Sequence, residues 1–352
     1  MSSLTQVAIS TRKVIRYGIF FIIFLIVGKM LLGSAIGLYN KINPPPPPPP
    51  TVKFGKLPTL PFPAPLEGEV KPNLTFSLET AEGGLPALSP QTNVYFMPKI
   101  SSNLLSLQIA TDKAVSLGFS PNWQQVSDTL YKFPHVSERS ELLMNIISGA
   151  FSISFDLKSD SSPLTRRPPA PEIAAAQVRS YLSSANLLPE DLTAEITHEF
   201  LKQEGESLVP ALSLSESSLI KINFFRKSYN ELPSLTPKPN ESNVWFMVSG
   251  LPERQKQVIA AEFHYFPVDE SESSTYPLKT AQEAWNELTS GTAYISSYGL
   301  NQEADQVKIR RIYLGYYDGG EPTEFFQPII VLEGDKGFIA YVPAVTLDYY
   351  GE

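Results

Sequence analysis

From Tyr17 to Tyr39 the chain runs for 23 residues with Lys29 as its only charge. A helix of that length reaches across the hydrocarbon core of a bilayer, and in lipid the backbone must close its own hydrogen bonds, so the stretch is constrained to a membrane helix. The lysine near its centre costs about 2.5 to 3.5 kcal/mol on insertion scales. The thirteen Leu, Ile, Phe and Val residues around it contribute roughly 4 to 8 kcal/mol in the opposite sense, so insertion wins.

A cleaved signal peptide competes with this, because a basic start precedes the apolar run Tyr17 to Gly28, and Gly33-Ser34-Ala35 has the small residues of a cleavage site. Apolar character resumes at Met30 and lasts to Tyr39, which favours a retained anchor. Arg12, Lys13 and Arg16 lie close to the start of the span, whereas Lys41, Lys53 and Lys56 are spread over its far side. That asymmetry places residues 1–16 as a cytoplasmic head, residues 17–39 as the span and the body outside the cytoplasm. Lys29, Gly33 and Gly37 recur every fourth residue and share one helix face. Glycines so spaced let a second helix approach, and a lysine beside them can pair with an acid on it; the alternative is a snorkelling lysine and chance glycines.

Charge is unevenly spread. The total is −8, yet residues 1–41 hold five basic residues and no acid, which leaves −13 on the remainder. An acidic body excludes nucleic acid as its partner, since phosphates need a concentrated Lys/Arg surface. Cysteine is absent (0 residues), which removes disulfides, thiolate zinc sites, cysteine nucleophiles and a lipidated-cysteine anchor.

Proline organises the chain beyond the span. Pro44 to Pro50 are seven consecutive prolines, which predict a polyproline II rod of about 22 Å at roughly 3.1 Å per residue. Residues 40–92 are expected to be a proline-rich extracytoplasmic linker. Beyond it the chain predicts an α+β body, helices packed on antiparallel sheets, in two domains, 93–162 and 172–350, divided by the proline-rich segment Ser161 to Pro171. Helices are expected from Asn103 to Leu117, stopped by Gly118, and from Glu172 to Ala185. Thr280-Ala-Gln-Glu283 is a capping box that opens a third. Strands are expected at Leu219 to Phe225, Val244 to Val248 and Val258 to Phe266, with a hairpin or bent strand over Leu142 to Leu157. Alternation at Val307 and Ile309 resumes one residue out of phase at Ile312, so a β-bulge is expected at Arg310-Arg311 before a final meander. Helix followed by strands occurs twice, as a weak internal repeat.

No catalytic motif is present: the chain has no GxxxxGK[ST], HExxH or GxSxG. Ser218-Leu-Ile-Lys221 matches SxxK but sits in a strand-like run where that chemistry needs a helix. Glu262 and His264 share a strand face and could supply two metal ligands, one short of a zinc site. Asp156, Asp160, Asp269, Glu270 and Glu272 lie among serines without calcium-loop spacing. No cofactor or metal is therefore implied. Tyr313, Tyr316, Tyr317, Phe325 and Phe326 gather around one hairpin; exposed, they would form a protein-binding patch, and buried, they would be core.

Ala281-Gln-Glu-Ala-Trp285, Ser290-Gly291, Ile312-Tyr-Leu-Gly-Tyr316, Gln327-Pro-Ile-Ile-Val331, Glu333-Gly334 and Phe338-Ile-Ala-Tyr-Val-Pro-Ala344 resemble the bacterial YycH/YycI-type regulatory proteins and the related PepSY-like modules. The resemblance covers roughly 280–346. It implies a single N-terminal span, an exported α+β body built of PepSY-like units and a modulatory contact with a membrane sensor kinase. The expected function is that of a non-catalytic, single-pass membrane protein whose body binds a protein partner, or a second copy, as regulator or scaffold. A cell-envelope enzyme or inhibitor acting on peptides or cell-wall polymer, and a structural subunit of a surface assembly, are the alternatives.

Overall fold

The computed structural model describes residues 4–42, 48–64, 72–192 and 195–351. Helix α1, Leu4–Ile42, carries the apolar stretch. Its segment Thr11–Tyr39 has a mean hydropathy of 2.5, is not buried by the rest of the chain, and is long and apolar enough to cross a membrane. The basic residues expected in a separate head, Arg12, Lys13 and Arg16, continue the same helix. Pro44 to Pro47, and with them most of the expected rod, lie outside the described residues. Residues 1–49 and 50–352 form separate compact units.

Within the second unit, nine strands make a wholly antiparallel sheet in the order Gln124–Gln125, Leu130–Pro134, Ser140–Asn145, Phe151–Phe155, Val258–Phe263, Val244–Val248, Leu219–Phe225, Glu195–Glu204, Ser207–Pro210. Strict alternation sends Tyr131, Phe133, Leu142, Met144, Ile153, Ile222, Phe246 and Ala261 to one face. Helices α2 (Ser106–Ser116) and α3 (Pro171–Ser184) cover that face with Ala110, Ala114, Ala174, Ala175, Val178 and Leu182. Alanines dominate these contacts, which lets both helices lie close to the large side chains of the sheet. The opposite face is mixed: Leu201 and Leu219 are buried there in a small apolar cluster with Met247, and charge links other strands, Lys132 binding Glu141 at 2.6 Å and Lys221 binding Glu241 at 2.9 Å while lying over the Trp245 ring.

The domain boundary expected between 162 and 172 falls inside this core. Strand Phe151–Phe155 pairs with Val258–Phe263, placing Ile153 opposite Ala261 and stacking Phe151 on Phe263 with ring centroids 4.9 Å apart. Segments 93–162 and 172–350 therefore share one sheet. Each is a helix followed by an antiparallel meander, and neither meander covers its own edge, so the two close on each other.

A second, six-stranded sheet runs Thr75–Leu78, Gln306–Tyr317, Pro328–Gly334, Ile339–Pro343, Tyr294–Ser297, with Ser234–Leu235 beside the far end of Gln306–Tyr317. Its two pairings from upstream segments are parallel, unlike the antiparallel sheets expected. Helix α4, Ala281–Ser290, packs on it through Ala284 and Leu288. Three strands, Asp269–Pro277, Gln91–Phe96 and Phe325–Phe326, form a small third sheet.

The segment expected as a free linker, 40–92, contributes to this second core. Leu57 is wholly buried and bridges Tyr350, Phe62 stacks on Tyr294 at 4.6 Å, and Thr75–Leu78 is an edge strand. Proline removes N–H donors, but it holds the chain extended, so the apolar residues between the prolines still reach grooves of the body. Burying one such leucine stabilises by roughly 1.5 to 3 kcal/mol.

Candidate functional site: a cleft between two helices and a clamped loop

Helix α2 ends where its Leu117 N–H bonds back to Lys113 and Gly118 takes φ +95°, a left-handed geometry that glycine enters without steric cost. The chain turns sharply into Phe119, which bridges His135 at the end of the strand Leu130–Pro134. This turn brings α2's last residues, the His135 ring and the outer side of α3 around one cleft of about 720 Å³. Val178, Val248 and Val258 contribute apolar lining, and Arg254, Gln255 and Gln257 belong to the loop between two strands of the large sheet.

His135 has a defined tautomer. Its Nδ1 accepts the backbone N–H groups of Ser137 (3.2 Å) and Glu138 (3.1 Å), so the ring hydrogen of the neutral form sits on Nε2. Burial holds its pKa below the usual histidine value, with the Glu138 charge pulling weakly the other way. In the opposite wall, the Oε1 of Gln177 is buried and accepts no hydrogen bond among the described residues. Tyr181 donates to Leu117 O at 3.0 Å, tying α3 to the end of α2, and burial pushes its phenol up. Ser116 and Ser184 spend their hydroxyl hydrogens on helix carbonyls of Asp112 and Tyr181.

The loop side is clamped. Lys256 donates to Asp160 (2.6 Å) and Ser162 (3.1 Å) and lies 3.5 Å from Glu138. The Lys256 bond holds the Asp160 carboxyl down at about 2. Gly250 lets this loop cross the proline-rich segment: a Cβ there would stand 1.9 Å from Arg167 O. The cleft thus offers the His135 Nε2–H and an apolar lining, with the unmatched Gln177 Oε1 turned into its wall, a set that complements the amide groups and side chains of an extended polypeptide.

The sequence-derived candidates are placed elsewhere. Lys29, Gly33 and Gly37 lie on α1, with open space within 4 Å of where a Cβ would project from either glycine. Of the two readings of the aromatic cluster, exposed patch or core, the burial of its rings fits core: Tyr316 is 0% and Phe326 1% exposed and the two stack at 5.0 Å, while Tyr317 is buried against Phe62. Tyr313 and Phe325 are half-buried, Tyr313 donating to Glu333 and Phe325 packing on Phe54. These rings fill the seam between the second and third sheets, and the tyrosine hydroxyls find carbonyls there, as Tyr316 does at Asn93 (2.7 Å). His264 Nε2 lies 2.9 Å from Glu262, and among the described residues no three His, Asp or Glu side chains group as a metal site.

Sequence reasoning missed a buried ionic centre. Arg226, 3% exposed, bonds Asp191 (2.8 Å), Asp318 (3.0 Å) and Phe266 O (3.0 Å), and Tyr229 also donates to Asp191 at 2.9 Å. The guanidinium faces the rings of Tyr265 and Phe326. Its pKa is raised further by the two carboxylates, against the desolvation that opposes it. Nothing in the spacing of residues 191, 226 and 318 announces this centre. The cleft was equally hidden, apart from Gly118 as a helix stop.

No family model matches the chain, and no curated protein matches it. Among solved structures it is weakly similar to an uncharacterized protein from Eubacterium rectale, with a TM-score of 0.40 and 11% identity, covering 81% of this chain and 91% of that one. YycH from Bacillus subtilis is a second weak neighbour, with a TM-score of 0.35 and 8% identity over 78% of this chain and 57% of its own.

Proposed function

We propose that this chain is a non-catalytic single-pass membrane protein, its N-terminus cytoplasmic and its body outside, that binds an extended segment of a protein partner as a regulator or scaffold. The observation that carries this is the cleft beside α3, lined by apolar side chains together with His135 and with Gln177, whose Oε1 is buried unmatched in the wall. A peptide bound there gives the His135 N–H a partner, and gives the Gln177 amide one when its side chain turns out of the wall. The exposed helix Thr11–Tyr39 supplies the anchor. A second copy is the partner the span itself could recruit, through Lys29, Gly33 and Gly37.

The absence of cysteine makes the test direct. Ile173, 56% exposed on the rim of the cleft, is replaced as Ile173→Cys, with Leu212→Cys, outside the cleft, as control. In intact cells both are expected to react with a membrane-impermeant maleimide; reaction only after lysis overturns the orientation. A thiol-linked photo-crosslinker at 173 is expected to give a product that is absent at 212 and lost with Gln177→Ala. The same products from both positions overturn the cleft as the binding site.

A further inference from the structure

A smaller groove of about 260 Å³ lies on the other side of α2, between that helix, the segment Ile100 to Asn103 and the turn Asn145 to Gly149. Its hydrogen-bond inventory is one-sided. Four side-chain acceptors are taken by backbone N–H groups: Asn145 Oδ1 by Ile147 (2.9 Å) and Ser148 (3.0 Å), Asn103 Oδ1 by Leu105 (2.8 Å), Ser106 Oγ by Asn103 (2.9 Å) and Ser148 Oγ by Ala150 (3.2 Å). Among the described residues the donors are uncommitted: the hydroxyl hydrogens of Ser106 and Ser148, the Asn103 amide and the Lys113 ammonium.

Lys113 is the telling member. It is half-buried and makes no hydrogen bond or ion pair among the described residues, in a body whose net charge is acidic. Its Nζ lies beside the turn at Gly149, 3.7 Å from where a Cβ would project, an ordinary van der Waals contact. Burial lowers its pKa with no carboxylate to oppose the effect, and neighbouring Asp112 is engaged by Gln108 at 2.8 Å. A desolvated cation without a counter-charge costs folding energy, and a ligand that supplies the charge recovers it. Around these donors stand Ile109, itself 45% exposed, with Ile146, Ile147 and the neighbouring exposed Leu105.

We propose that this groove binds a small organic anion, a carboxylate joined to a branched aliphatic group, with Lys113, Ser106 and Ser148 donating to the carboxylate and Ile109 and Ile147 sheltering the aliphatic part. Charge-assisted bonds to an anion are the strong ones available to this donor set, and free phosphate would leave the apolar rim unused. The site is separate from the peptide cleft, so either assignment can fail alone.

The test is calorimetric titration of the full chain in non-ionic detergent with N-acetylleucine, N-acetylleucinamide and inorganic phosphate. Saturable binding of the acid is expected, with the amide and phosphate each at least about tenfold weaker. Lys113→Gln is expected to weaken the acid by a similar factor while the ligand-free Tm stays level or rises, because the unpaired cation is gone. Ser148→Ala, a turn substitution, is expected to weaken binding several-fold and keeps the question open to decision if Lys113→Gln fails to fold. No saturable binding, equal affinity for acid and amide, phosphate as tight as the acid, or a ligand-free Tm that falls in a folded Lys113→Gln would each overturn the proposal.

Discussion

At the scale of single residues, His135 couples a backbone turn to the cleft. Its Nδ1 holds two N–H groups, and protonation there would release both. Because burial lowers its pKa in the folded chain, the pH effect has a definite sign. Above the ordinary histidine pKa of about 6.5 the ring is neutral in both states and contributes nothing. As pH falls through that value the unfolded chain binds a proton the fold resists, so stability falls until the folded pKa is passed. His135→Asn keeps a short acceptor for Ser137 and Glu138 and removes the titration. Its Tm, followed from about pH 7.5 to 5.5, should decline less steeply than that of the parent chain; parallel slopes would show that His135 does not titrate this way. None of this was legible in the sequence, where His135 is one of three scattered histidines.

At the scale of elements, α1 and the strands differ in how much the sequence determines. Lys29, Gly33 and Gly37 stand one turn apart on an exposed helix, and only close approach by a second helix would use both glycines. Gly33→Leu with Gly37→Leu should abolish homo-oligomers trapped by cross-linking in membranes while leaving the span inserted; unchanged cross-links would leave the glycines without a role. Where a local pattern suffices, the elements were legible. Strand Leu219–Phe225 has the bounds its apolar run predicts, and Thr280 and Glu283 close a capping box on α4. The register shift between Ile309 and Arg311 is the bulge that the phase change of alternation announced. Thr75–Leu78 was not legible, because its partner Gln306–Tyr317 lies far along the chain and the pairing is parallel. The prolines before it signalled missing donors and so concealed residues, Leu57 foremost, that the core takes in.

At the scale of the whole body, strand pairings between distant segments and one ionic centre decide how the sheets sit together, and local patterning carries no information about either. Arg226 follows the strand Leu219–Phe225 of the large sheet, Asp318 follows Gln306–Tyr317 of the second, and Phe326 belongs to the third. Asp318 is fixed in turn by its N–H to Leu235 O (2.8 Å) and by Asn243 on its carbonyl (2.7 Å). Removing the arginine would leave two buried carboxylates without a counter-charge, Asp191 keeping the Tyr229 hydroxyl as its donor. Arg226→Met should therefore cost about 3 to 5 kcal/mol in urea unfolding of the full chain in detergent, the range for breaking a buried pair. Lys158→Ala, which removes a partner from the exposed Lys158–Glu206 pair, should cost no more than about 1 kcal/mol. Adding Asp191→Asn and Asp318→Asn to Arg226→Met should restore part of the loss, since it removes the stranded charges. A loss for Arg226→Met no larger than that for Lys158→Ala would mean that apolar packing alone joins the sheets, and that the rings of Tyr265, Tyr316 and Phe326, rather than the charge they enclose, form the joint.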